Sequence, residues 1–234
     1  MTESLPIVLV PGLLCSARLY APQITALWPS GAVTVADHRR DDTVDAIAAR
    51  ILASAPPRFA LAGLSMGGYI AFAMLRQAPE RIDRLALLDT SARTDTPEQT
   101  DARKKLMVLA EAGKRLTDVV ELLAPRFLHA NRAHDESLKG TIRAMARDTG
   151  LDAFLRQERA IMSRPDARPQ LAGIRCPTLV LVGDGDGLTP PELAIEMSAG
   201  IRGSKLVIVK DCGHLSTIER PDDVNAAMLQ WLNA

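Results

Sequence analysis

The amino-acid sequence predicts an α/β fold, with a mostly parallel sheet of about six strands, helices on both faces and an inserted helical cap. Two observations predict the sheet. Short apolar runs bounded by turn residues recur along the chain, as in strands buried on both faces. Segments of helical periodicity separate these runs, as in the crossover connections of parallel strands. A third observation, a long stretch with helical periodicity alone, predicts the cap.

The individual elements follow in chain order. The strand-like runs lie at 5–10, 32–36, 59–62, 85–88, 178–182 and 205–209. The helical patterns between them lie at 18–27, 43–54, 66–78, 190–199 and 221–233. This alternation predicts crossover connections of the usual right-handed kind.

The long stretch between the fourth and fifth runs contains no strand-like segment. Its helical patterns lie at 103–112, 117–127, 137–149 and 151–163. We therefore predict a core formed by 1–96 and 166–234 and a helical insertion at 97–165. The insertion is interpreted either as a plain helical layer or as a cap over the crevice at the carboxyl ends of the strands, where α/β sheets bind ligands.

Composition argues against several classes of partner. The 234 residues carry 28 Lys+Arg against 28 Asp+Glu, and only 3% are aromatic. This balance gives no electrostatic basis for binding nucleic acid or an anionic membrane, and the shortage of aromatics disfavours base stacking. No apolar run is long enough to span a membrane, and the N-terminus lacks the basic region of a signal peptide. Three scattered cysteines and four histidines favour a cytoplasmic protein without disulfides or a metal site.

A nucleophile motif joins the third predicted strand to the next helix. Gly63-Leu-Ser65-Met-Gly67 has the pattern G-x-S-x-G, in which small residues allow a sharp strand-to-helix turn that exposes the serine hydroxyl. A tight glycine turn with an uninvolved serine is the alternative. A phosphate-binding loop is excluded, because Tyr69-Ile70 stands where that motif requires Lys followed by Ser or Thr.

The serine needs a base, an acid and an oxyanion hole. Of the four histidines, His214 is favoured as the base because it follows the last predicted strand. The acid remains open among Asp184, Asp186 and Asp89, each of which also follows a predicted strand. The backbone N–H groups of Met66 and Leu13 are the candidate oxyanion donors.

These motifs resemble those of the α/β-hydrolase fold family, in particular its serine esterase-like members with a helical cap. The similarity lies in the Gly63–Gly67 motif, the Gly183-Asp-Gly-Asp-Gly-Leu-Thr-Pro190 loop and the Gly213-His-Leu-Ser-Thr-Ile-Glu-Arg-Pro221 ending. It implies that Asp186 rather than Asp184 is the acid and that His214 is the base.

The chain also departs from the family pattern. Pro11-Gly12 replaces the His-Gly common in relatives, and the antiparallel strands that often precede this loop are expected to be absent. The nucleophile position of the motif holds Ser65 rather than Asp, which argues against haloalkane dehalogenase and epoxide hydrolase chemistry.

The resemblance implies a serine hydrolase that cleaves a small carboxylic ester, thioester or lactone through an acyl-enzyme, without cofactor or metal. Acyl transfer to another acceptor, including peroxide, and a non-catalytic ligand sensor or regulatory protein are the alternatives. We expect a small-molecule substrate and a monomer or small homo-oligomer.

Side chains that could form the pocket wall, each of which could equally be ordinary core, are Leu14, Phe127, Met145, Phe154, Leu188 and Leu215. Five arginines of the insertion could bind a carboxylate or a phosphopantetheine arm, with solvated helix faces as the alternative: Arg126, Arg143, Arg147, Arg156 and Arg159.

Overall fold

Six parallel strands form the centre of the molecule. The computed structural model describes residues 4–113 and 116–233. Within them the strands are β1 (Ile7–Val10), β2 (Val33–Val35), β3 (Phe59–Leu64), β4 (Ile82–Leu88), β5 (Thr178–Gly183) and β6 (Lys205–Val209). Their order is β2-β1-β3-β4-β5-β6, and every neighbouring pair is parallel. The predicted fold class is confirmed.

Helices cover both faces of this sheet. Those outside the insertion are α1 (Ala21–Leu27), α2 (Val44–Ser54), α3 (Met66–Gln77), α8 (Pro191–Gly200), α9 (Ser216–Glu219) and α10 (Pro221–Leu232). Alternate residues of each central strand enter different apolar clusters: in β1, Leu9 packs with α1 and α10, whereas Val8 packs with α2 and α3. Both strand faces are thus buried, which explains why the strands are continuously apolar.

The insertion between β4 and β5 consists of helices. They are α4 (Pro97–Glu111), α5 (Leu116–Phe127), α6 (Glu136–Thr149) and α7 (Leu151–Met162). Helix α4 begins at Pro97, earlier than the predicted Arg103, because Thr96 and Gln99 form a reciprocal capping box. The ends of the insertion lie side by side, since Ala167 N donates to Ala92 O over 2.7 Å. The division into a core and a functional cap stays a prediction.

The α-helices of the described ranges are 4 to 15 residues long. None of those in the described ranges is both long and apolar enough to cross a bilayer.

Candidate active site

Ser65 lies in the sharp turn between β3 and α3. Its backbone has φ 55° and ψ −116°, a left-handed conformation that non-glycine residues rarely adopt. Neighbouring backbone holds it there, because Ser65 N donates to Leu88 O over 3.0 Å and Thr90 Oγ1 donates to Ser65 O over 2.7 Å. A Cβ at Gly63 would collide with Gly67 O, and a Cβ at Gly67 with Val10 O. The glycines of the motif are therefore sterically required.

His214 approaches this serine from the loop between β6 and α9. Its Nε2 lies 2.8 Å from Ser65 Oγ, and its Nδ1 lies 2.8 Å from Asp186 Oδ2. The side chain is only 4% exposed. With the ring hydrogen on Nδ1, the imidazole donates to Asp186 and leaves Nε2 free to accept the serine proton.

Asp186 is held by the loop that follows β5. Its Oδ1 accepts from the backbone N–H groups of Leu188 and Thr189 over 2.8 and 2.9 Å, and its Oδ2 accepts from Thr189 Oγ1 over 2.7 Å. Burial raises the pKa of Asp186, but the positive charge and hydrogen bond of His214 and the donors of Thr189 lower the pKa more, so the net shift is downward. The carboxylate form is therefore favoured beside the imidazole.

The other acids that the sequence left open lie elsewhere. Asp184 is exposed and accepts from Cys212 N over 3.2 Å. Asp89 is fully buried at φ 43°, where its Oδ1 accepts from Gly183 N over 3.0 Å and its Oδ2 shares a hydrogen bond with Ser216 Oγ. Burial, reinforced by the nearby charge of Asp186, raises the pKa of Asp89 well above its usual range. Asp89 thus joins the ends of β4 and β5 to α9, and its raised pKa favours the protonated carboxyl.

The loop that follows β1, with Pro11, Gly12 and Leu13, lies directly beside Ser65. A Cβ at Gly12 would lie 3.3 Å from Ser65 Cβ, so Leu13 follows the point of close approach. Leu13 contributes to the wall of the cavity described below, whereas the side chain of Met66 is buried in the core and its amide lies at the first position of α3. These positions suit backbone donors to an oxyanion on a carbonyl bound at Ser65.

Polar groups that the sequence analysis did not single out fix this first loop. His38 Nε2 lies 2.9 Å from Gly12 O and 3.0 Å from Gln157 Nε2, while Leu14 N donates to Gln157 Oε1 over 3.1 Å. Burial lowers the pKa of His38 to about 4, so its imidazole is neutral. Gln157 belongs to α7, so the insertion itself supports the Pro11-Gly12 loop. A polar residue on the buried face of α7 is the one sequence signal that could have indicated this role.

A cavity of about 320 Å³ opens onto Ser65 and His214, a volume suited to a small ligand. Three of the six predicted pocket residues line it, namely Phe127, Leu188 and Leu215, together with Leu13, which was predicted as an oxyanion donor. Phe127 also stacks on the His214 ring, with 6.2 Å between ring centroids. The carbonyl oxygen of Phe127 accepts from His214 N over 2.9 Å, so α5 is tied to the loop that carries His214.

Leu14, Met145 and Phe154 do not line the cavity, and their predicted place in its wall is corrected. All three are buried in the apolar cluster on the insertion side of the sheet. Met145 and Phe154 lie on the buried faces of α6 and α7. Leu14 follows the cavity-lining Leu13 but sits at φ 59° with its N–H bound to Gln157. Helical periodicity identifies a buried face without showing whether a core or a cavity covers it.

A group of charged side chains also lines the cavity and was missed by the sequence analysis. Arg103 Nε lies 2.7 Å from Asp95 Oδ2, Arg103 Nη1 lies 2.9 Å from Glu158 Oε2, and Arg164 Nη2 lies 2.8 Å from Asp95 Oδ1. Glu158 Oε1 is buried without a hydrogen-bond partner among the described residues. Of the arginines that the sequence analysis considered, Arg126 is among the lining residues, whereas Arg143, Arg147, Arg156 and Arg159 are not.

Other reactive groups near the cavity are unsuited to the role of Ser65. Burial raises the pKa of the Cys15 thiol to about 12, so a thiolate is disfavoured at neutral pH. Across 4–113 and 116–233, no cluster of three or more His, Cys, Asp or Glu side chains is arranged to hold a metal ion.

Comparison with known proteins places this geometry in context. A family model described as the alpha/beta hydrolase family matches residues 7–227. A 2-hydroxy-6-oxononadienedioate/2-hydroxy-6-oxononatrienedioate hydrolase of Klebsiella pneumoniae is 31% identical over 178 residues, which are 74% of this chain. The match spans 61% of that curated relative's length.

Two solved structures are similar over almost the whole chain. An esterase from Thermogutta terrifontis, solved with malate bound, is 29% identical with a TM-score of 0.87, covering 98% of this chain and 89% of its own. The enol-lactonase from Burkholderia xenovorans LB400 is 26% identical with a TM-score of 0.89, covering 99% and 92%.

Proposed function

The chain belongs to the alpha/beta hydrolase family, and from this premise we propose that it is a serine hydrolase that cleaves a small carboxylic ester, thioester or lactone. One observation carries the proposal: Ser65 Oγ, the two ring nitrogens of His214 and Asp186 Oδ2 form a continuous hydrogen-bonded chain with 2.8 Å at each link to the imidazole.

In the proposed first step, Ser65 Oγ attacks the substrate carbonyl carbon while His214 Nε2 takes the hydroxyl proton. The carbonyl oxygen becomes an oxyanion, which accepts from the Leu13 and Met66 amides. Collapse of this tetrahedral species breaks the bond to the leaving oxygen or sulfur, and the imidazolium gives that atom its proton. Asp186 stabilises the imidazolium and fixes its orientation.

In the second step, His214 removes a proton from a water molecule, which attacks the acyl-Ser65 carbonyl. The ester bond to Ser65 breaks, the serine regains its proton from the imidazolium, and a carboxylic acid leaves. The raised pKa of Cys15 disfavours a thiolate nucleophile. His38 is buried, with its Nε2 2.9 Å from Gly12 O. Ser65 and His214 are therefore the pair suited to these proton transfers.

Ester or lactone cleavage is favoured by the two solved relatives, an esterase and an enol-lactonase that align over nearly the full chain. Hydrolysis of a carbon–carbon bond by the same three residues is a second candidate, because the curated relative of Klebsiella pneumoniae is a 2-hydroxy-6-oxononadienedioate/2-hydroxy-6-oxononatrienedioate hydrolase. Product analysis with an ester and with 2-hydroxy-6-oxononadienedioate as parallel substrates separates the two reactions.

The direct test is hydrolysis of short p-nitrophenyl esters by the wild type and by Ser65→Ala. We expect kcat/KM of the variant to fall by at least about 10³-fold, because the acyl-enzyme can no longer form. Ser163→Ala, on the insertion and outside the cavity, is the matched control and should keep the wild-type rate. A phosphonylating inhibitor should add mass to the peptide that contains Ser65. Full activity of Ser65→Ala would overturn the proposal.

A further inference from the structure

Among the residues that the structure describes, four arginines line the cavity, and three of them are neutralised by carboxylates. Arg93 pairs with Glu196 over 2.8 Å. Arg103 and Arg164 share Asp95, and Arg103 also contacts Glu158. These three guanidinium groups are committed to carboxylates of the protein itself, so they contribute little free charge to the cavity.

Arg126 differs from the other three. It lies in the last turn of α5 with an exposed side chain and lines the cavity that contains Ser65 and His214. Within the ranges that the structure describes, it makes no ion pair or hydrogen bond. Apart from Ser65 and His214, the described part of the cavity wall therefore carries one positive charge, that of Arg126, which no described carboxylate balances.

The backbone next to Arg126 is fixed relative to the reacting atoms. Phe127 O accepts from the N–H groups of His214 and Leu215 over 2.9 and 3.2 Å, and the Phe127 ring stacks on the imidazole. The guanidinium of Arg126 is thus carried by a segment that is hydrogen-bonded to the loop of the base. A group held by Arg126 would lie at a defined position relative to a carbonyl at Ser65.

We propose that Arg126 is a substrate-binding residue that recognises a carboxylate on the acyl portion of the substrate. The substrate class is then half-esters of dicarboxylic acids, or lactones that bear a free carboxylate. This inference rests on the proposed serine hydrolase function and narrows it. The planar guanidinium offers paired N–H donors to a carboxylate, and the resulting charge-assisted bonds are stronger than those between neutral groups.

The test uses pairs of p-nitrophenyl esters of equal chain length. The charged members are the mono-esters of succinic, glutaric and adipic acids, and the neutral members are the corresponding unbranched alkanoates. The readout is the ratio of kcat/KM for the charged ester to kcat/KM for its neutral partner, so that a general loss of activity cancels.

We expect the wild type to prefer at least one charged member, and Arg126→Gln to lower this ratio at least about tenfold, mainly through KM. Arg126→Lys should keep part of the preference because it keeps the charge. Arg147→Gln is the matched control: Arg147 is an exposed arginine of α6 outside the cavity and also without an ion pair among the described residues. Its ratio should stay at the wild-type value.

The outcomes separate the two proposals. If the neutral esters are cleaved in a Ser65-dependent manner and Arg126→Gln leaves the ratio unchanged, Arg126 is not a carboxylate site, while the serine hydrolase assignment stands. If no ester is cleaved, calorimetric titration with glutarate tests the site directly. Binding that is lost in Arg126→Gln but not in Arg147→Gln supports it, and equal or absent binding in the wild type and Arg126→Gln overturns it.

Discussion

The pKa of His214 depends mainly on burial and on Asp186, the carboxylate that contacts its ring. Burial lowers this pKa, whereas the charge and hydrogen bond of Asp186 raise it more. The net shift is above the usual 6.5. Because a base must be neutral to accept the Ser65 proton, ester hydrolysis should be lost as pH falls through this raised pKa.

We predict that kcat/KM of the wild type rises with pH along a limb whose midpoint lies above pH 6.5, the usual histidine value. Asp186→Asn removes the largest upward influence and leaves burial, so its limb should move to lower pH, with kcat reduced by about 10³–10⁴-fold. Rates from pH 5 to 9 for both proteins check this. An unmoved limb in Asp186→Asn would show that another group titrates.

Substitutions of Asp89 test whether a buried carboxyl group has a structural role while it is uncharged. Its raised pKa indicates the neutral form, and a neutral carboxyl can be replaced by a carboxamide. In Asp89→Asn, the amide oxygen can still accept from Gly183 N, the amide nitrogen can donate to Ser216 Oγ, and Asn tolerates φ 43°. We predict that Asp89→Asn lowers the free energy of unfolding by less than about 1 kcal/mol.

Asp89→Ala should lower the free energy of unfolding by about 3 kcal/mol, because the N–H of Gly183 and the hydroxyl of Ser216 lose their buried partner. Urea unfolding of both variants measures the difference. Asp89→Asn should also retain ester hydrolysis, in contrast to Asp186→Asn. Equal destabilisation by Asn and Ala would show that Asp89 is ionised in the folded protein.

At the scale of the element, the turn between β3 and α3 depends on close backbone contact. A methyl group at Gly67 would collide with Val10 O on the neighbouring strand, and strand β1 cannot move away because its hydrogen bonds to β2 and β3 hold it. Gly140, in the interior of α6, has open space around its Cβ position. The same substitution should therefore have opposite effects at the two sites.

We predict that Gly67→Ala lowers the free energy of unfolding by about 3 kcal/mol through overpacking. Gly140→Ala should raise it by about 0.5–1 kcal/mol, because alanine loses less conformational entropy than glycine in a helix. Guanidinium unfolding of the purified variants checks both values. A stable Gly67→Ala protein would contradict the steric account of this turn.

The elements differ in how far sequence alone predicts them. Strands such as β3 and β5 could be located almost to the residue, because burial on both faces requires an unbroken apolar run that polar turns interrupt. The start of α4 was misplaced, because its signal is the polar capping box of Thr96 and Gln99 and not an apolar period. Helix α9, a single turn, is too short to produce a period at all.

The residues of the candidate site also differ in how far the sequence predicts them. Among Asp184, Asp186 and Asp89, only the resemblance to the α/β-hydrolase fold family favoured Asp186. Ser65 and His214 could be proposed because each follows a strand, and the carboxyl ends of parallel strands meet at one edge of the sheet. Gln157 and Glu158 could not, because their partners are far away in the sequence and only packing of α7 against α4 and the first loop brings them together. Patterns along the chain carry no information about such pairings.

At the scale of the whole molecule, the insertion is joined to the core by the charges around Asp95. Asp95 precedes α4 and Arg164 follows α7, so their ion pair closes the base of the insertion. Arg103 on α4 and Glu158 on α7 extend it inward. The carboxylates of Asp95 and Glu158 are 2% and 0% exposed, and buried charges of this kind are tolerated only when they are paired.

We predict that Arg103→Met lowers the free energy of unfolding by about 3–5 kcal/mol at pH 8, because it leaves Glu158 buried without a counter-charge. Burial raises the pKa of Glu158 and the charge of Arg103 opposes that rise, so loss of Arg103 should raise this pKa further. A carboxyl whose pKa is higher in the folded protein favours folding below its unfolded pKa and loses that contribution as pH rises through the folded value. The deficit of Arg103→Met should therefore be smaller at pH 5 than at pH 8.

Two comparisons test this electrostatic explanation by urea unfolding at both pH values. Arg18→Met breaks the exposed pair of Arg18 with Asp148, which also joins the core to the insertion, and exposed pairs contribute little. The urea midpoint of Arg18→Met should match that of the wild type. The double variant Arg103→Met/Glu158→Met removes the stranded carboxylate, so it should recover most of the lost stability. A deficit independent of pH and unrelieved in the double variant would mean that Arg103 stabilises the insertion by packing of its side chain rather than by its charge.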